Sequence, residues 1–290
     1  MNLNKKIKSI VIHFGKWIPD KTYLKILYFL DRRKFLNLKN PKTFTEKIQW
    51  LKIHDRNPEY CILVDKIKVK ELVASKIGER YVIPTLSIYD TVDSIDLKKL
   101  PDKFVLKTNH DSGGVILCQN KEEFDINNAK KKLKKSFKRN YYKTFREWPY
   151  KNINRKIFAE THINDTGNKD ITDYKWFCFN GKPLFCQVIK DRNTKETIDF
   201  YDSEWNHMDF VGLNINCRNS ENTEKKPTNL NEQLQIAKSL SAGFKFIRVD
   251  LYNIKGKIYF GELTLYPASG FGTFSPDEWN YKLGDLIDIH

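Results

Sequence analysis

The sequence predicts an α+β fold in which most strands pair antiparallel. Helical patterns fill the chain up to Gly78, and the apolar runs that follow are short and separated by turn signals such as Asn180-Gly181. Strands do alternate with helices, but the tight turns between the later runs favour antiparallel pairing over a doubly wound parallel sheet. With 290 residues the chain is long enough for a large core divided into two or three subdomains.

The predicted helices come first. Apolar residues at near-helical spacing between residues 5 and 36 predict two amphipathic helices. Helical patterns continue over residues 45–77, and Gly78 is typical of the residue that ends a helix. A basic amphipathic start of this kind either packs against the body of the protein or lies on a membrane surface.

The predicted strands follow in hairpin-like units. Residues 103–108 and 115–119 are predicted strands joined by a polar glycine loop at 109–114. The other predicted elements are a strand and turn at 81–90, a charged helix at 122–138, strands at 156–163 and within 173–191, a loop at 216–229, a helix at 230–243 and a hairpin at 248–267.

The last hairpin, RVDLYNIKGKIYFGELTLYP, carries an unusual set of charges. Because side chains alternate between the two faces of a strand, Arg248 and Asp250 share a face of the first strand. Glu262 and Thr264 share a face of the second, and we expect both pairs on the same side of the hairpin. Two carboxylates this close repel each other, which raises one carboxyl pKa unless a cation compensates. We therefore expect a positive charge beside Asp250 and Glu262.

Composition excludes some classes of protein and favours an anionic partner. Hydrophobic residues make up 40% of the chain, which excludes a disordered protein. The net charge of +15 favours an anionic partner, and its local maximum, KKKLKKSFKR (130–139), is either a binding face or a solvated helix face. The five cysteines form no CxxC pair, which is typical of a reducing compartment. Without a signal peptide or an apolar run of roughly 18 residues, we expect a cytoplasmic chain that does not span a membrane.

The glycine loop and the carboxylate hairpin together indicate a magnesium–nucleotide site. The loop, Asn109 to Gly114, leaves backbone amides free to approach an anion, although alone it is equally typical of an ordinary hairpin turn. It is neither a Walker loop nor a GxGxxG motif. Mg²⁺ prefers carboxylate and phosphate oxygens, which Asp250, Glu262 and a triphosphate supply. Zinc is disfavoured because the sequence has no HxxxH, HExxH or Cys/His cluster.

Several segments, in their order along the chain, resemble the ATP-grasp superfamily. They are DKIKVKELVASKIGERYVIPTL, FVLKTNHDSGG, KIFAETHI, DYKWFCFNGKP, RVDLY and YFGELTLYP. More narrowly, residues 40–288 resemble the TupA-like ATP-grasp proteins that accompany bacterial genes for surface polysaccharides. The resemblance implies an ATP-grasp fold, in which two α+β subdomains clasp ATP behind a helical N-terminal region. It implies limits of 1–90 for that region, 91–158 for the lid with the glycine loop and 159–290 for the catalytic core.

The resemblance also implies which residues bind the nucleotide. Lys66 and Lys107 match the two lysines that hold ATP phosphates in the superfamily. The other matching positions lie in the glycine loop, at His110, Ser112, Gly113 and Gly114, and in the hinge strand that meets adenine and ribose, at Glu160, Thr161, His162 and Ile163.

The metal and catalytic positions are implied in the same way. Asp250 and Glu262 match the magnesium ligands, and Thr264 stands where most members carry Asn. Threonine is a shorter oxygen ligand, so the coordination of a second metal ion is open. Arg248 matches the arginine that neutralises the transferring phosphate, and we expect it to act in catalysis together with Lys107 and Lys175.

Two further stretches are candidates from their residues alone. Asp173 and Lys175 share a strand face and could reach the phosphates or the substrate, with an exposed ion pair as the alternative. The segment REWPYKN (146–152) is unusually aromatic for a surface loop. It could line an acceptor site, where Arg146 would suit a sugar or a uronate, or it could simply pack a long connection.

The predicted reaction is an ADP-forming carboxylate–amine ligation. A carboxylate attacks the γ-phosphate of ATP, and an amine then displaces phosphate from the acyl phosphate to leave an amide. We expect ATP and Mg²⁺ as cofactors. As substrates we expect an acidic glycan or sugar nucleotide, together with an amino acid or a similar amine.

Three alternatives stay open at the level of sequence. A glycosyltransferase of surface-polysaccharide biosynthesis fits the same setting, although no aspartate pair has the compact DxD spacing. An ATP-grasp kinase acting on a glycan would use the same nucleotide site. A nucleic-acid or membrane-surface binding module is the third. The sequence lacks RNP, zinc-finger and basic-zipper signatures, so we expect no nucleic-acid partner, whereas peripheral contact with the inner membrane face stays open.

Overall fold

The computed structural model describes residues 3–163, 171–191 and 195–289. The helices are α1 (Leu3–Phe14), α2 (Asp20–Arg32), α3 (Phe44–His54), α4 (Tyr60–Leu63), α5 (Lys68–Ile77), α6 (Ile126–Phe137), α7 (Tyr141–Phe145), α8 (Leu230–Ser241) and α9 (Glu278–Asp285). The strands are β1 (Thr85–Tyr89), β2 (Phe104–Thr108), β3 (Val115–Cys118), β4 (Ile157–Thr161), β5 (Asp173–Phe179), β6 (Lys182–Lys190), β7 (Thr197–Asp202), β8 (His207–Met208), β9 (Val211–Leu213), β10 (Phe246–Ile254), β11 (Lys257–Thr264) and β12 (Thr273–Ser275). Helices combined with antiparallel sheets confirm the predicted α+β class.

A four-stranded antiparallel sheet has the order β1-β4-β2-β3. Alternate residues of its central strands, such as Leu106 and Ala159, are buried and pack with Leu133 of α6 in one apolar cluster. Since side chains alternate across a strand, Lys107 and Glu160 lie on the opposite face of this sheet. That face becomes one wall of the candidate site.

A six-stranded antiparallel sheet has the order β11-β10-β5-β6-β7-β8, and β9 pairs with β12 in a separate two-stranded ribbon. The core that packs on the six-stranded sheet is rich in aromatic rings, including Phe177, Phe200 and Phe246. Helix α8 packs against it, and the buried Trp176 indole donates a hydrogen bond of 3.1 Å to Gln233 of that helix. This sheet carries the charged hairpin at its edge.

Two of the hairpins close with the turn that matches the twist of their strands. Asn180 and Gly181 have φ angles of 49° and 76°, and Lys255 and Gly256 have φ angles of 51° and 82°. Positive φ at both central residues defines a type I′ turn. The predicted turn at Asn180-Gly181 and the predicted hairpin at 248–267 are both confirmed.

The N-terminal region is helical, as predicted, and is anchored to the C-terminal end of the chain. Helix α3 begins with a capping box in which Thr43 and Glu46 each bond to the backbone of the other. The Asn280 side chain of α9 accepts a hydrogen bond of 3.1 Å from the Thr45 backbone. Within the described residues, no helix is both long and apolar enough to cross a membrane.

The structure contains short elements that were not predicted from the sequence, namely α7, α9, β7, β8, β9 and β12. Helix α6 begins at Ile126 rather than at 122, because the Asp125 side chain caps it by accepting a hydrogen bond from the Asn128 backbone. The predicted domain limit at residue 90 falls just after strand β1, and the predicted limit at residue 158 falls within strand β4. Both strands nevertheless pair with each other in one sheet. The domain limits stay a prediction.

Candidate active site

Strands β10 and β11 bring the predicted charged residues together. In their register Arg248 lies opposite Thr264, and Asp250 lies opposite Glu262. Directly opposite residues of paired strands present their side chains on the same face. The predicted common face is therefore confirmed, and a bulge follows at once, because Leu251 pairs with Phe260.

The expected positive charges stand beside Asp250. The Arg248 guanidinium donates to both carboxylate oxygens of Asp250, from Nε at 2.6 Å and from Nη2 at 2.7 Å. Lys175, which lies opposite Asp250 on β5, donates a further hydrogen bond to it, and its Nζ is 3.6 Å from Asp173 Oδ1. The Lys175 and Asp173 side chains are only 8% and 6% exposed, so the alternative of an exposed ion pair is wrong.

Glu262 remains open toward the interior of the site. Its carboxylate receives Lys66 Nζ at 2.5 Å and the Thr264 hydroxyl at 2.9 Å, and its side chain is 33% exposed. Burial alone would raise the carboxyl pKa, but the charges of Lys66, Lys175 and Arg248 outweigh it and hold the pKa of Glu262 far below its usual range. The carboxylate is therefore ionised and able to serve as an oxygen ligand.

A second ion cluster lies on the four-stranded sheet. Glu160 of β4 pairs with Lys107 of β2, and Lys70 Nζ of α5 approaches it at 3.0 Å. Burial opposes ionisation of Glu160, but the two lysines lower its pKa below the usual value. Lys70 also donates to the Ile83 carbonyl at 2.8 Å and to the Thr85 hydroxyl at 2.9 Å. Sequence reasoning missed Lys70, because the even spacing of Lys66, Lys68 and Lys70 does not distinguish it from Lys68.

The two clusters face each other across a cavity of about 420 Å³. Nine of the predicted site residues line it, namely Lys66, Lys107, Ser112, Glu160, Asp173, Lys175, Arg248, Asp250 and Glu262. The cavity also has an apolar wall, formed by residues such as Phe158, Ile198 and Leu213. Charged groups and apolar surface in one cavity suit a ligand with a polyanionic part and a flat apolar part.

The glycine loop lies beside this cavity and is tied to α6 and α7. Ser136 and Arg139 both donate hydrogen bonds to the buried Asp111 carboxylate, and the Ser112 hydroxyl bonds to Tyr141. A Cβ atom at Gly114 would lie 2.3 Å from Thr108 Oγ1 and 2.4 Å from Ser136 Oγ. The second glycine is thus required by close packing of the loop on its own sheet.

The described residues that line the cavity do not include His110, Gly113, Gly114, Thr161, His162, Ile163 or Thr264. His110 is buried with its ring edge-on to Phe137, and the Thr161 backbone donates a hydrogen bond of 3.0 Å to Pro84. The roles that the resemblance implies for these positions stay predictions.

A family model described as TupA-like ATP-grasp matches residues 46–288. The chain belongs to this family. The match extends from α3 to α9 and confirms both the resemblance and the predicted ATP-grasp fold. A comparison with curated proteins found no significant match.

Solved structures similar to this ATP-grasp chain include two D-alanine–D-alanine ligases. The one from Bacillus anthracis, complexed with ATP, is 18% identical over 78% of this chain and 63% of that chain, with a TM-score of 0.44. The one from Helicobacter pylori is 17% identical over 84% and 69%, with a TM-score of 0.46. A RimK domain ATP-grasp protein from Sphaerobacter thermophilus is 12% identical over 80% and 70%, with a TM-score of 0.40. The chain thus spans less than two thirds of the Bacillus anthracis ligase.

The donor set of this ATP-grasp chain fits magnesium bound together with a nucleotide. Within the described residues, no group of three or more His, Cys, Asp or Glu side chains is arranged to hold a metal ion. Asp250 and Glu262 instead offer two carboxylates, with the Thr264 hydroxyl beside them. Mg²⁺ is commonly held by one or two carboxylates plus phosphate oxygens and water, so this smaller set suffices when a triphosphate completes it.

A second cavity of about 370 Å³ adjoins the first, and both are lined by Lys66, Ser112, Arg248, Glu262 and Ala268. Its remaining wall is formed by Asp111, Tyr141, Phe145, Glu147, Tyr150, Thr264, Tyr266 and Ser269. The segment 146–152 therefore does contribute to a cavity, through Glu147 and Tyr150.

Arg146, in contrast, is a packing residue of the N-terminal helices. Its guanidinium lies 3.9 Å from the Tyr23 ring centroid, donates to the Gly15 carbonyl at 2.6 Å and pairs with Asp20 at 3.2 Å. The expectation that Arg146 would contact a sugar or a uronate is wrong, because its side chain turns away from the cavity that its neighbour Glu147 lines.

Proposed function

We propose that this chain is an ADP-forming carboxylate–amine ligase that makes an amide through an acyl phosphate. The observation that supports the proposal most directly is the first cavity, in which five cationic side chains lie among five acidic ones, Glu160, Asp173, Glu196, Asp250 and Glu262, together with apolar residues. The cations are Lys66, Lys70, Lys107, Lys175 and Arg248. This is the combination that a Mg²⁺–ATP complex requires, because phosphoryl transfer depends chiefly on positioning and charge neutralisation.

In this proposal the two sheets share the nucleotide between them. Lys66, Lys107 and the glycine loop bind the phosphates, while the hinge after β4 meets the adenine and Glu160 meets the ribose. The apolar wall with Phe158 excludes water from the base. Asp250 and Glu262 with Thr264 would hold Mg²⁺, which when bound neutralises charge on the phosphate oxygens.

The chemistry then proceeds in two balanced steps. A substrate carboxylate oxygen attacks the γ-phosphorus, the bond to the β–γ bridging oxygen breaks, and ADP leaves. In the second step a protonated amine first loses a proton to water, and its neutral nitrogen attacks the acyl carbon. The bond from that carbon to the phosphate oxygen breaks, and inorganic phosphate leaves with the second proton that the nitrogen loses as the amide forms. Arg248 and Lys175 stabilise the negative charge that develops in the first step, and the glycine loop keeps water from the acyl phosphate.

We further propose that the acid is a uronic acid of a bacterial surface polysaccharide or of its precursor, and that the amine is an amino acid or a similar compound. The net charge of +15 supports an anionic acceptor, and the polysaccharide setting is the one that the resemblance to TupA-like ATP-grasp proteins implies. The chain would act in the cytoplasm.

The test is product analysis by mass spectrometry after incubation with Mg²⁺–ATP, candidate uronates and a pool of amino acids. We expect an amide product, with ADP and phosphate released only when acid and amine are both present. Glu262→Gln should abolish turnover with the fold intact, whereas Glu278→Gln, a change at an exposed position, should not. Full activity of Glu262→Gln would refute the metal assignment, phosphate retained on a glycan would indicate a kinase, and release of UDP would indicate a glycosyltransferase.

The same proposal includes peripheral contact with an anionic membrane face. Phe14, Trp17 and Phe35 are 69%, 83% and 85% exposed, and Lys16 Nζ lies 4.9 Å from the Trp17 ring centroid. Exposed aromatic rings among lysines are typical of interfacial binding. The double variant Trp17→Ser with Phe35→Ser should sediment less with phosphatidylglycerol vesicles than wild type or Ile215→Ser, and equal sedimentation of all three would refute the contact.

A further inference from the structure

The second cavity has walls that the nucleotide does not need. Four aromatic rings line it, from Tyr141, Phe145, Tyr150 and Tyr266, together with two buried acidic residues, Asp111 and Glu147, and the partly exposed Glu262. Rings of Tyr141 and Tyr150 lie 5.3 Å apart between centroids, at an angle of 33°. The cavity therefore combines an aromatic surface with acidic side chains. Asp111 and Glu262 are paired with Arg139 and Lys66, while burial raises the pKa of Glu147 and the charge of Lys52 opposes that rise.

Glu147 is held in place by the segment that carries Ser269. It is 6% exposed and accepts a hydrogen bond of 2.5 Å from the Ser269 hydroxyl. Ser269 and its neighbour Ala268 adopt left-handed backbone angles, with φ of 52° and 46°, which cost energy for residues other than glycine. Strained backbone of this kind persists only where the surroundings impose it, so the wall beside Glu147 is a built feature.

Lys52 supports this wall from behind without lining the cavity. Its fully buried Nζ donates to the Phe145 carbonyl at 3.0 Å and to the Ser269 carbonyl at 2.6 Å. It thereby ties together the two segments that carry Phe145, Glu147 and Ser269. Lys52 is a positioning residue, and its ammonium group has its hydrogen bonds within the wall.

The chemistry of the cavity favours a cation. Aromatic faces attract ammonium groups, and a carboxylate among them adds a charge-assisted hydrogen bond. The two cations at its mouth are already paired, Lys66 with Glu262 and Arg248 with Asp250. An anionic group entering the deep end would instead meet Glu147.

We propose that this cavity binds the amine cosubstrate, as its ammonium form, with Glu147 and the surrounding rings as its recognition site. The inference rests on the proposed ligase function and adds to it the class and place of the second substrate. A primary amine seated here lies beside Arg248 and Glu262, where the acyl phosphate is proposed to form.

The test measures binding of matched pairs of probes to the full chain by calorimetry, with and without a saturating nonhydrolysable ATP analogue and Mg²⁺. The pairs differ only in an ammonium or a hydroxyl group: L-alaninamide with L-lactamide, and ethanolamine with ethylene glycol. We expect at least one ammonium probe to bind about tenfold more tightly than its hydroxyl partner. Glucuronate serves as the probe for the acid.

Glu147→Gln keeps the shape of the side chain and removes its charge. We expect it to weaken binding of the ammonium probe about tenfold or more, with the hydroxyl probe and the ATP analogue unchanged. Glu123→Gln, on an exposed part of the lid, is the matched control and should bind as wild type does. If Glu147→Gln does not fold, Phe145→Leu, a change at a half-buried position, is the variant that tests the proposal. We expect it to weaken binding of the ammonium probe about threefold.

The proposal is overturned if no ammonium probe binds the wild-type chain, if Glu147→Gln binds it equally well, or if glucuronate is the probe that depends on Glu147 and Phe145. These outcomes differ from failure of the ligase function. Amine binding that depends on Glu147, without ADP release in the product assay, would leave the site standing and remove the ligase. Amide formation with an unchanged KM for the amine in Glu147→Gln would leave the ligase function standing and remove the amine site.

Discussion

At the scale of single residues, lysines that line the first cavity are paired with carboxylates of the same cavity. Lys66 pairs with Glu262, Lys107 with Glu160, and Lys175 with Asp250. Each lysine is therefore held near the place where a phosphate oxygen would compete for it, which is the meaning of preorganisation. In the proposed function, transfer of Lys66 from Glu262 to a phosphate frees that carboxylate for Mg²⁺.

Lys70 provides a prediction at this scale. Lys70→Met removes one of the two cations that compensate the buried Glu160, so we expect the free energy of unfolding to fall by about 1–3 kcal/mol and ATP to bind about tenfold more weakly. Lys68→Met is the control, because Lys68 is exposed on the same helix. Urea denaturation and nucleotide titration measure both effects, and identical behaviour of the two variants would contradict the role of Lys70.

Lys52 provides a prediction about pH. Burial lowers its pKa from 10.5 to about 8, so between pH 8 and 10.5 the unfolded chain binds more protons at this site than the folded chain. Stability should therefore rise with pH across this window, by up to about 1.4 kcal/mol per pH unit from this group. Below pH 8 the contribution is constant.

The variant Lys52→Met should lack this rise. Denaturation of wild type and variant at pH 7.5, 8.5 and 9.5 measures the contribution as the pH dependence of the difference in stability between the two chains. A difference in stability between the two chains that does not change with pH would show that Lys52 stays charged in the folded state.

Lys70 also shows why part of the site escaped prediction from sequence. Lys66, Lys68 and Lys70 follow one another at every second position, and nothing in that spacing distinguishes them. Only the position of β4, about ninety residues further along, brings Glu160 to Lys70 and leaves Lys68 in solvent. The choice among equivalent lysines is thus made by tertiary contact.

At the scale of elements, the hairpins were predictable and the short elements were not. The turns at Asn180-Gly181 and Lys255-Gly256 are encoded locally, because residues that tolerate positive φ stand between alternating apolar runs. Strand β12 has three residues, and its partner β9 lies about sixty residues earlier in the chain. A run this short has no period to detect, so it forms only where the fold supplies a partner.

The glycine loop yields a prediction based on two neighbouring glycines. In Gly114→Ala the new Cβ would collide with the buried side chains of Thr108 and Ser136, so we expect a loss of about 1–3 kcal/mol in stability and weaker ATP binding. In Gly113→Ala the nearest atom, at 2.4 Å, belongs to the end of the exposed Arg139 side chain, which can move away. Thermal unfolding and nucleotide titration should therefore separate the two variants, and equal tolerance would contradict the packing argument.

At the scale of the whole molecule, the first cavity lies between the two main sheets. Lys107 and Glu160 come from the four-stranded sheet, while Lys175, Asp250 and Glu262 come from the six-stranded one. A ligand that contacts both sheets stabilises their relative arrangement as well as each sheet. Binding should therefore be visible in the stability of the entire chain.

Removal of the metal tests this arrangement. Mg²⁺–ADP at a hundred times its Kd should stabilise the folded chain by about 2.7 kcal/mol and raise Tm by several degrees. Addition of EDTA should cancel most of that gain, because the phosphates would then face Asp250 and Glu262 without a cation between them. A Tm gain that survives EDTA in full would show that the two carboxylates hold no metal with the nucleotide.

The sequence by itself determined the α+β class, the helical start, the hairpins with their turns, and the shared face of Arg248, Asp250, Glu262 and Thr264. These features depend on side-chain periodicity and turn chemistry, which act between neighbours in the chain. Only the tertiary structure decided that Lys70 joins the site, that Arg146 packs inward while Glu147 faces a second cavity, and that Lys52 supports that cavity from behind. Those outcomes depend on contacts between segments far apart in the chain, and local sequence patterns do not predict the energy of such contacts.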